Sequence, residues 1–285
     1  MSLTHKLPQS LANSVVGIEV VGAGGNGAQI VGGLARLDAA LRATGHDGLH
    51  VTLIDPDRVT EANVGRQLFS PSDIGRSKAA VLIHRINLFY GTRWTAICDQ
   101  YAPHHSTITS HIVIGCVDTK RARRKIFTVC QRFARYWLDL GNSAREGQVV
   151  LGEPVGSGSM PRIREKLEKE TRLPTVLELF PEVADRKSVE DDTPSCSLAE
   201  ALDRQDLFIN QTVATFALHL LWTWFRHGEI RHHGYFINLD AGIVRPLPID
   251  PQVWDRMRQP KQGARAPKSS RKTNAVRTEK KDKIK

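Results

Sequence analysis

The chain has 285 residues and a formal charge of +10, with 40% hydrophobic and 25% charged residues, 22 glycines and 14 prolines. Such a composition buries a large core and excludes collagen and wholesale disorder. Four dispersed cysteines, none in a C-x-x-C pair, exclude a disulfide framework, and no zinc of the usual paired spacing is expected.

The charge is unevenly placed. Residues 256–285 hold 12 Lys/Arg against 2 acids, leaving 28 of each sign in residues 1–255. The sequence therefore divides into a neutral domain over 1–259 and a basic tail over 260–285, expected to be disordered. Such a tail can attract nucleic acid or an acidic partner, or can act only as a solubilising appendage. The opening MSLTHKLPQSLANS has no apolar signal core, so a cytoplasmic protein is expected. Residues 207–225 carry no charge and are about as long as a spanning helix. Asn210, Gln211, His219 and three threonines within them favour a buried core helix, and no membrane partner is expected.

In chain order, a short arm leads to an apolar strand over 15–21, a turn Gly22-Ala-Gly24-Gly25-Asn-Gly27, and a helix with Ile30, Val31, Leu34, Leu37 and Leu41 on one face. A second strand over 49–54 ends at Asp55. Strand, glycine turn, helix, strand is the opening unit of a Rossmann-like, doubly wound, mostly parallel α/β sheet. A long polar loop over 56–76 precedes a helix over 77–89 and a strand over 95–99. The run 111–117 forms the next strand, stopping at Asp118, followed by a helix over 121–133 and a strand over 136–140. Residues 146–152 begin an antiparallel C-terminal extension. The stretch of about 160–195 is charged and marked by prolines, and reads as a mobile crossover or an inserted cap. A helix over 198–226 and a strand over 235–239 return to the core.

Gly22, Gly24, Gly25 and Gly27 stand where missing β-carbons let backbone amides approach a phosphate. Asp55 either accepts hydrogen bonds from a ribose or caps its own turn. Up to this point a nicotinamide-dependent oxidoreductase fits equally well. The next stretch favours a different chemistry: Asp55, Asp57, Asn63, Arg66 and Gln67 follow the second strand, and Lys78 opens the next helix. A forked guanidinium with a lysine point charge suits a triphosphate and the charge that develops as pyrophosphate departs. Asp118, at the same sheet edge, offers the oxygen that Mg²⁺ requires. Arg123 can reach the same anion or pair with a surface acid.

The order G-x-G-G-x-G, D-x-D-x-V-x-x-x-N-x-x-R-Q, a helix-opening lysine and C-x-D resembles the ThiF/MoeB/HesA superfamily, which includes the ubiquitin-activating-type adenylating enzymes. In overall look, including Pro194-Ser-Cys196-Ser and the basic tail, the chain is most similar to the ThiF-related members of bacterial PRTRC cassettes. The resemblance implies that ATP and Mg²⁺ are used to adenylate the C-terminal carboxylate of a small ubiquitin-like or sulfur-carrier protein. It assigns Asp55 to the ribose, Asn63, Arg66 and Lys78 to the phosphates, and Asp118 to the metal. It gives Cys196 a thioester or sulfur-transfer role, against the alternative of an inert cysteine on a capping turn. It also implies a homodimer, although the family's arginine-bearing N-terminal arm has no counterpart here. A nucleotide-binding scaffold without turnover is the third reading. Cys98, Cys116 and Cys130 read as small packed hydrophobes. His104-His105 and His232-His233 read as solvated or satisfied, because neighbours on a strand point apart.

Overall fold

Near-continuous apolar runs belong in strands covered on both faces, which is the environment of a parallel sheet. The computed structural model describes residues 3–105, 110–155, 172–184 and 205–258. The first elements are β1 (His5–Lys6), α1 (Gln9–Ala12), β2 (Val16–Val21), α2 (Gly25–Ala43) and β3 (Leu49–Ile54). Next come α3 (Lys78–Tyr90), β4 (Thr95–Ile97), β5 (Ser110–Gly115), α4 (Lys120–Phe133), β6 (Tyr136–Asn142) and β7 (Glu146–Gly152). The described remainder comprises α5 (Val176–Leu179), α6 (Ile209–His227), β8 (Glu229–Ile230), β9 (His232–Asn238), β10 (Ile243–Pro248) and α7 (Pro251–Arg258).

Eight strands form one sheet in the order β10-β9-β7-β6-β5-β2-β3-β4. The five from β4 to β6 run parallel, and β7, β9 and β10 extend the sheet by antiparallel pairing, as the sequence led us to expect. Counted along the chain, the parallel strands lie in the order 3-2-1-4-5, so the winding reverses between β2 and β5. α3 and α6 each pack on α2, while α4 packs on β5 and β6. Gly33 permits the close approach of α2 to α6, because a β-carbon there would lie 2.0 Å from Leu218 Cδ1.

Several boundaries move. Among the described residues α6 begins at Ile209 rather than 198, with a turn before it. β5 ends at Gly115, so Asp118 stands beyond the strand, next to the N-cap of α4. β10 and α7 were not anticipated. β10 contains Arg245, Pro246 and Pro248, which disguise it, and prolines are tolerated there because it is an edge strand. Within the stretch expected to be mobile, residues 172–184 pack firmly, with Leu173, Val176 and Leu179 buried. The rest of that stretch, the N-terminal part of the expected helix, Cys196 and the basic tail lie outside the described residues.

α6 contributes Ile209, Val213, Ala217, Leu220, Leu221 and Trp224 to the core. No described helix is long and apolar enough to cross a membrane. His232 Nε2 bonds with Tyr235 Oη (2.6 Å) and His233 Nδ1 with the Leu151 carbonyl (2.7 Å), while His233 Nε2 is buried without a partner.

Candidate active site

The crevice of a doubly wound sheet opens where the strand order reverses, outside the carboxyl ends of the strands. Here that point lies between β2 and β5, and the glycine turn fills it. Gly22 has φ +100°, and a β-carbon on it would lie 2.6 Å from the Cys116 carbonyl oxygen. On Gly27 a β-carbon would lie 1.8 Å from the Gly22 carbonyl oxygen. Both positions therefore require glycine. α2 starts with no side-chain cap and no acid in its first turn, which leaves the helix N-terminus open to an anion.

This gives a direct test. Gly27→Ala is expected to destabilise the fold by about 1–3 kcal/mol through overpacking and to weaken ATP binding. Gly32→Ala, on the same helix with nothing within 4 Å of its β-carbon, is expected to stabilise by about 0.5–1 kcal/mol. Urea melts and ATP titrations of the two variants check the contrast.

Asp55 accepts hydrogen bonds from the amides of Ala23 (2.5 Å) and Asp57 (2.7 Å), tying the glycine turn to the loop after β3. Burial pushes its carboxyl up, and those amides and the Lys78 charge pull it back only in part. The turn-capping role is thus present, and the remaining lone pairs leave room for a ribose hydroxyl.

The loop after β3 is built from short 3₁₀ turns. Asn63 Oδ1 caps the first, accepting from the Thr60 amide (2.9 Å) and hydroxyl (3.1 Å), which leaves its amide nitrogen to donate elsewhere. Gln67 is buried, and Gly24 approaches its side-chain nitrogen closely, at 3.9 Å from an added β-carbon. Arg66 donates from Nη1 to Gln205 Oε1 at 2.8 Å. Burial lowers the basicity of Arg66, and the negative charge of Asp118 restores part of it. Asp118 itself is exposed. Lys78 opens α3 with Ser77 as its N-cap, and its Nζ pairs with Asp57 Oδ2 at 2.9 Å. Asp57 is largely exposed, whereas Lys78 is buried.

Three polar atoms around the turn are buried without a partner: Asn26 Oδ1, Arg66 Nε and Gln67 Oε1. The same is true of Trp137 Nε1, Asp139 Oδ2, Trp224 Nε1 and His233 Nε2 elsewhere in the described residues. Sequence reasoning missed four residues of this cluster. Asn26 Nδ2 donates to Asn142 Oδ1 (2.8 Å), at the carboxyl end of β6. Asn210 Nδ2 donates to Gln205 Oε1 (3.1 Å), and the Asn210 side chain lies 2.5 Å from the β-carbon Gly25 lacks. Only Asn26, inside the glycine motif, carried a local signal.

Arg123 does not meet a surface acid. It donates from Nε to Asp139 Oδ1 (2.9 Å), deep in β6, and from Nη2 to the Val117 carbonyl (3.1 Å). Both residues are buried. Arg123 therefore braces the segment leading to Asp118 rather than binding an anion. Cys116 and Cys130 are buried, and burial pushes both thiols up, as befits packed residues. Cys98 is not packed: β4 ends one residue before it, and it is exposed, accepting from Ser77 Oγ at 2.9 Å.

The sequence matches the ThiF family over residues 4–249. The chain belongs to the ThiF family. That is an adenylyltransferase-type family, for which the use of ATP and Mg²⁺ is expected. A glycine cradle with free amides, a guanidinium, an ammonium and an exposed carboxylate are the groups a metal-bound triphosphate needs. The fold is also similar to the crystal structure of SeMet PaaA, with a TM-score of 0.51 and 16% identity. That likeness, one of fold, covers 84% of this chain and 65% of the PaaA chain. No curated protein matches the sequence.

Proposed function

We propose that this ThiF-family protein adenylates the C-terminal carboxylate of a small ubiquitin-like or sulfur-carrier protein. The carrier's carboxylate attacks the α-phosphorus of ATP, the bond to the bridging oxygen breaks, and pyrophosphate leaves. The observation that carries this reading is the glycine turn at the strand-order reversal, which Asp55 ties to the loop bearing Asp57, Asn63, Arg66 and Gln67, with Lys78 paired to Asp57.

The protein's part is to position and to stabilise charge. The amides at the start of α2 cradle the phosphates, Asn63 donates to them, and Asp55 accepts from the ribose. Arg66 and Lys78 offset the charge that gathers on departing pyrophosphate. Asp118 would hold Mg²⁺, which when bound would supply positive charge to offset that of the phosphates. Cys196 then attacks the adenylated carbonyl carbon, forming a thioester and releasing AMP. The closest functional setting is the one suggested by the PRTRC-like features, in which the protein acts as a homodimer and the basic tail holds an acidic partner or nucleic acid.

Incubation of the full chain with Mg-ATP, labelled pyrophosphate and a small ubiquitin-fold protein encoded in a neighbouring reading frame is expected to regenerate labelled ATP. Cys196→Ala is expected to keep exchange within about twofold while losing the thioester, since the thiol acts after adenylation. No exchange together with saturable NADH binding would instead establish the oxidoreductase reading. ATP binding without exchange would indicate a scaffold.

A further inference from the structure

We propose that Asp99, His104 and His105 form a site for one divalent cation of the zinc class, in the connection that leaves β4. This does not depend on the adenylation reading. A carboxylate oxygen of Asp99 and one ring nitrogen of each histidine lie within 4.8 Å of one another. A tetrahedral ion with ligands at about 2.0–2.2 Å spaces its donors by about 3.3–3.6 Å. Closure thus needs movements of roughly 1 Å, which the exposed side chains of Asp99 and His104 can make.

The geometry departs from the strand on which neighbouring histidines would diverge. Residues 103–105 form a turn, and the two imidazole centroids stand 4.0 Å apart with an interplanar angle of 63°. His105 Nε2 lies 3.9 Å from Asp99 Oδ2. The loop is held ready from behind. The Gln100 amide donates to Asp99 Oδ1 (2.6 Å), and the buried Tyr101 hydroxyl donates to Glu19 Oε2 on β2 (2.9 Å). Such outer bonds orient first ligands and limit the entropy lost on binding. The Ala102 amide donates to His105 Nδ1 at 3.3 Å, so ligation through Nε2 transfers the ring proton and gives up only this long bond.

Two imidazoles with one carboxylate are too nitrogen-rich for Mg²⁺ or Ca²⁺ and suit Zn²⁺ or its first-row neighbours. Three protein ligands leave the fourth position to water. Cys98 is next in sequence to Asp99 but stands outside the cluster, engaged with Ser77 at the start of α3. A bound ion would therefore stiffen the sheet edge beside Lys78.

The test uses the full chain in a Cys196→Ser background, freed of metal with EDTA and titrated with Zn²⁺ in a calorimeter at pH 7.5. One equivalent is expected to bind, with His104→Ala and Asp99→Asn each weakening affinity by about tenfold or more. Because both side chains are exposed, circular dichroism of the variants should match the parent. Co²⁺ in place of Zn²⁺ should give visible ligand-field bands without a thiolate charge-transfer band. Absence of a stoichiometric equivalent, unchanged affinity in both variants, or a strong thiolate band would each overturn the proposal.

Discussion

Asp118→Ala is expected to lower ATP–pyrophosphate exchange by about 10²–10³-fold, the usual cost of removing one group that stabilises transition-state charge. The side chain is exposed beside the N-cap of α4 and contributes no packing, so thermal stability should stay within about 0.5 kcal/mol of the parent. In the proposed mechanism this carboxylate would hold the metal, because a hard cation needs an oxygen ligand. Raising Mg²⁺ should recover part of the loss if the carboxylate binds the metal. Exchange that survives the substitution at ordinary Mg²⁺ would remove Asp118 from the metal site.

The second large effect is on folding. Arg123→Ala leaves Asp139 fully buried with its principal partner gone, a change expected to cost about 3–5 kcal/mol. Burial already pushes the Asp139 carboxyl up, and Arg123 is the main group pulling it back down. Arg123→Ala/Asp139→Asn should recover much of the loss, because the amide carries no charge to strand in the core. Urea unfolding of the two singles and the double gives the coupling energy directly. Additive losses would show that the pair is not coupled. Because Arg123 also holds the Val117 carbonyl, the single variant should weaken exchange beyond what its unfolded fraction explains.

What could be read from the sequence was whatever sits close together along the chain. The strand-turn-helix around Gly22–Gly27, the Asp55–Gln67 string and the lysine opening α3 are contiguous signals, and the structure brings their carriers to one edge of the sheet. Partners distant in sequence could not be read in this way. Asn142 and Asn210 join the cluster only because β6 and α6 end beside the glycine turn. The partner of Arg123 depends on how α4 lies across β6, which no local pattern records. Cys98 escaped burial because β4 is only three residues long, and the rings of His104 and His105 lie together rather than apart because a turn stands where a strand was expected. β10 was hidden by its prolines, which an edge position makes harmless.

The most direct measurement is a crystal structure of the full chain with Mg²⁺ and α,β-methylene-ATP, which binds but cannot release pyrophosphate. The expected result is a triphosphate lying over Gly22–Gly27, with Arg66 Nε and Lys78 Nζ on its oxygens, Asp57 released from Lys78, and the metal on Asp118. A nucleotide bound elsewhere, or one bound over the turn with Arg66 and Asp118 both turned away, would contradict it.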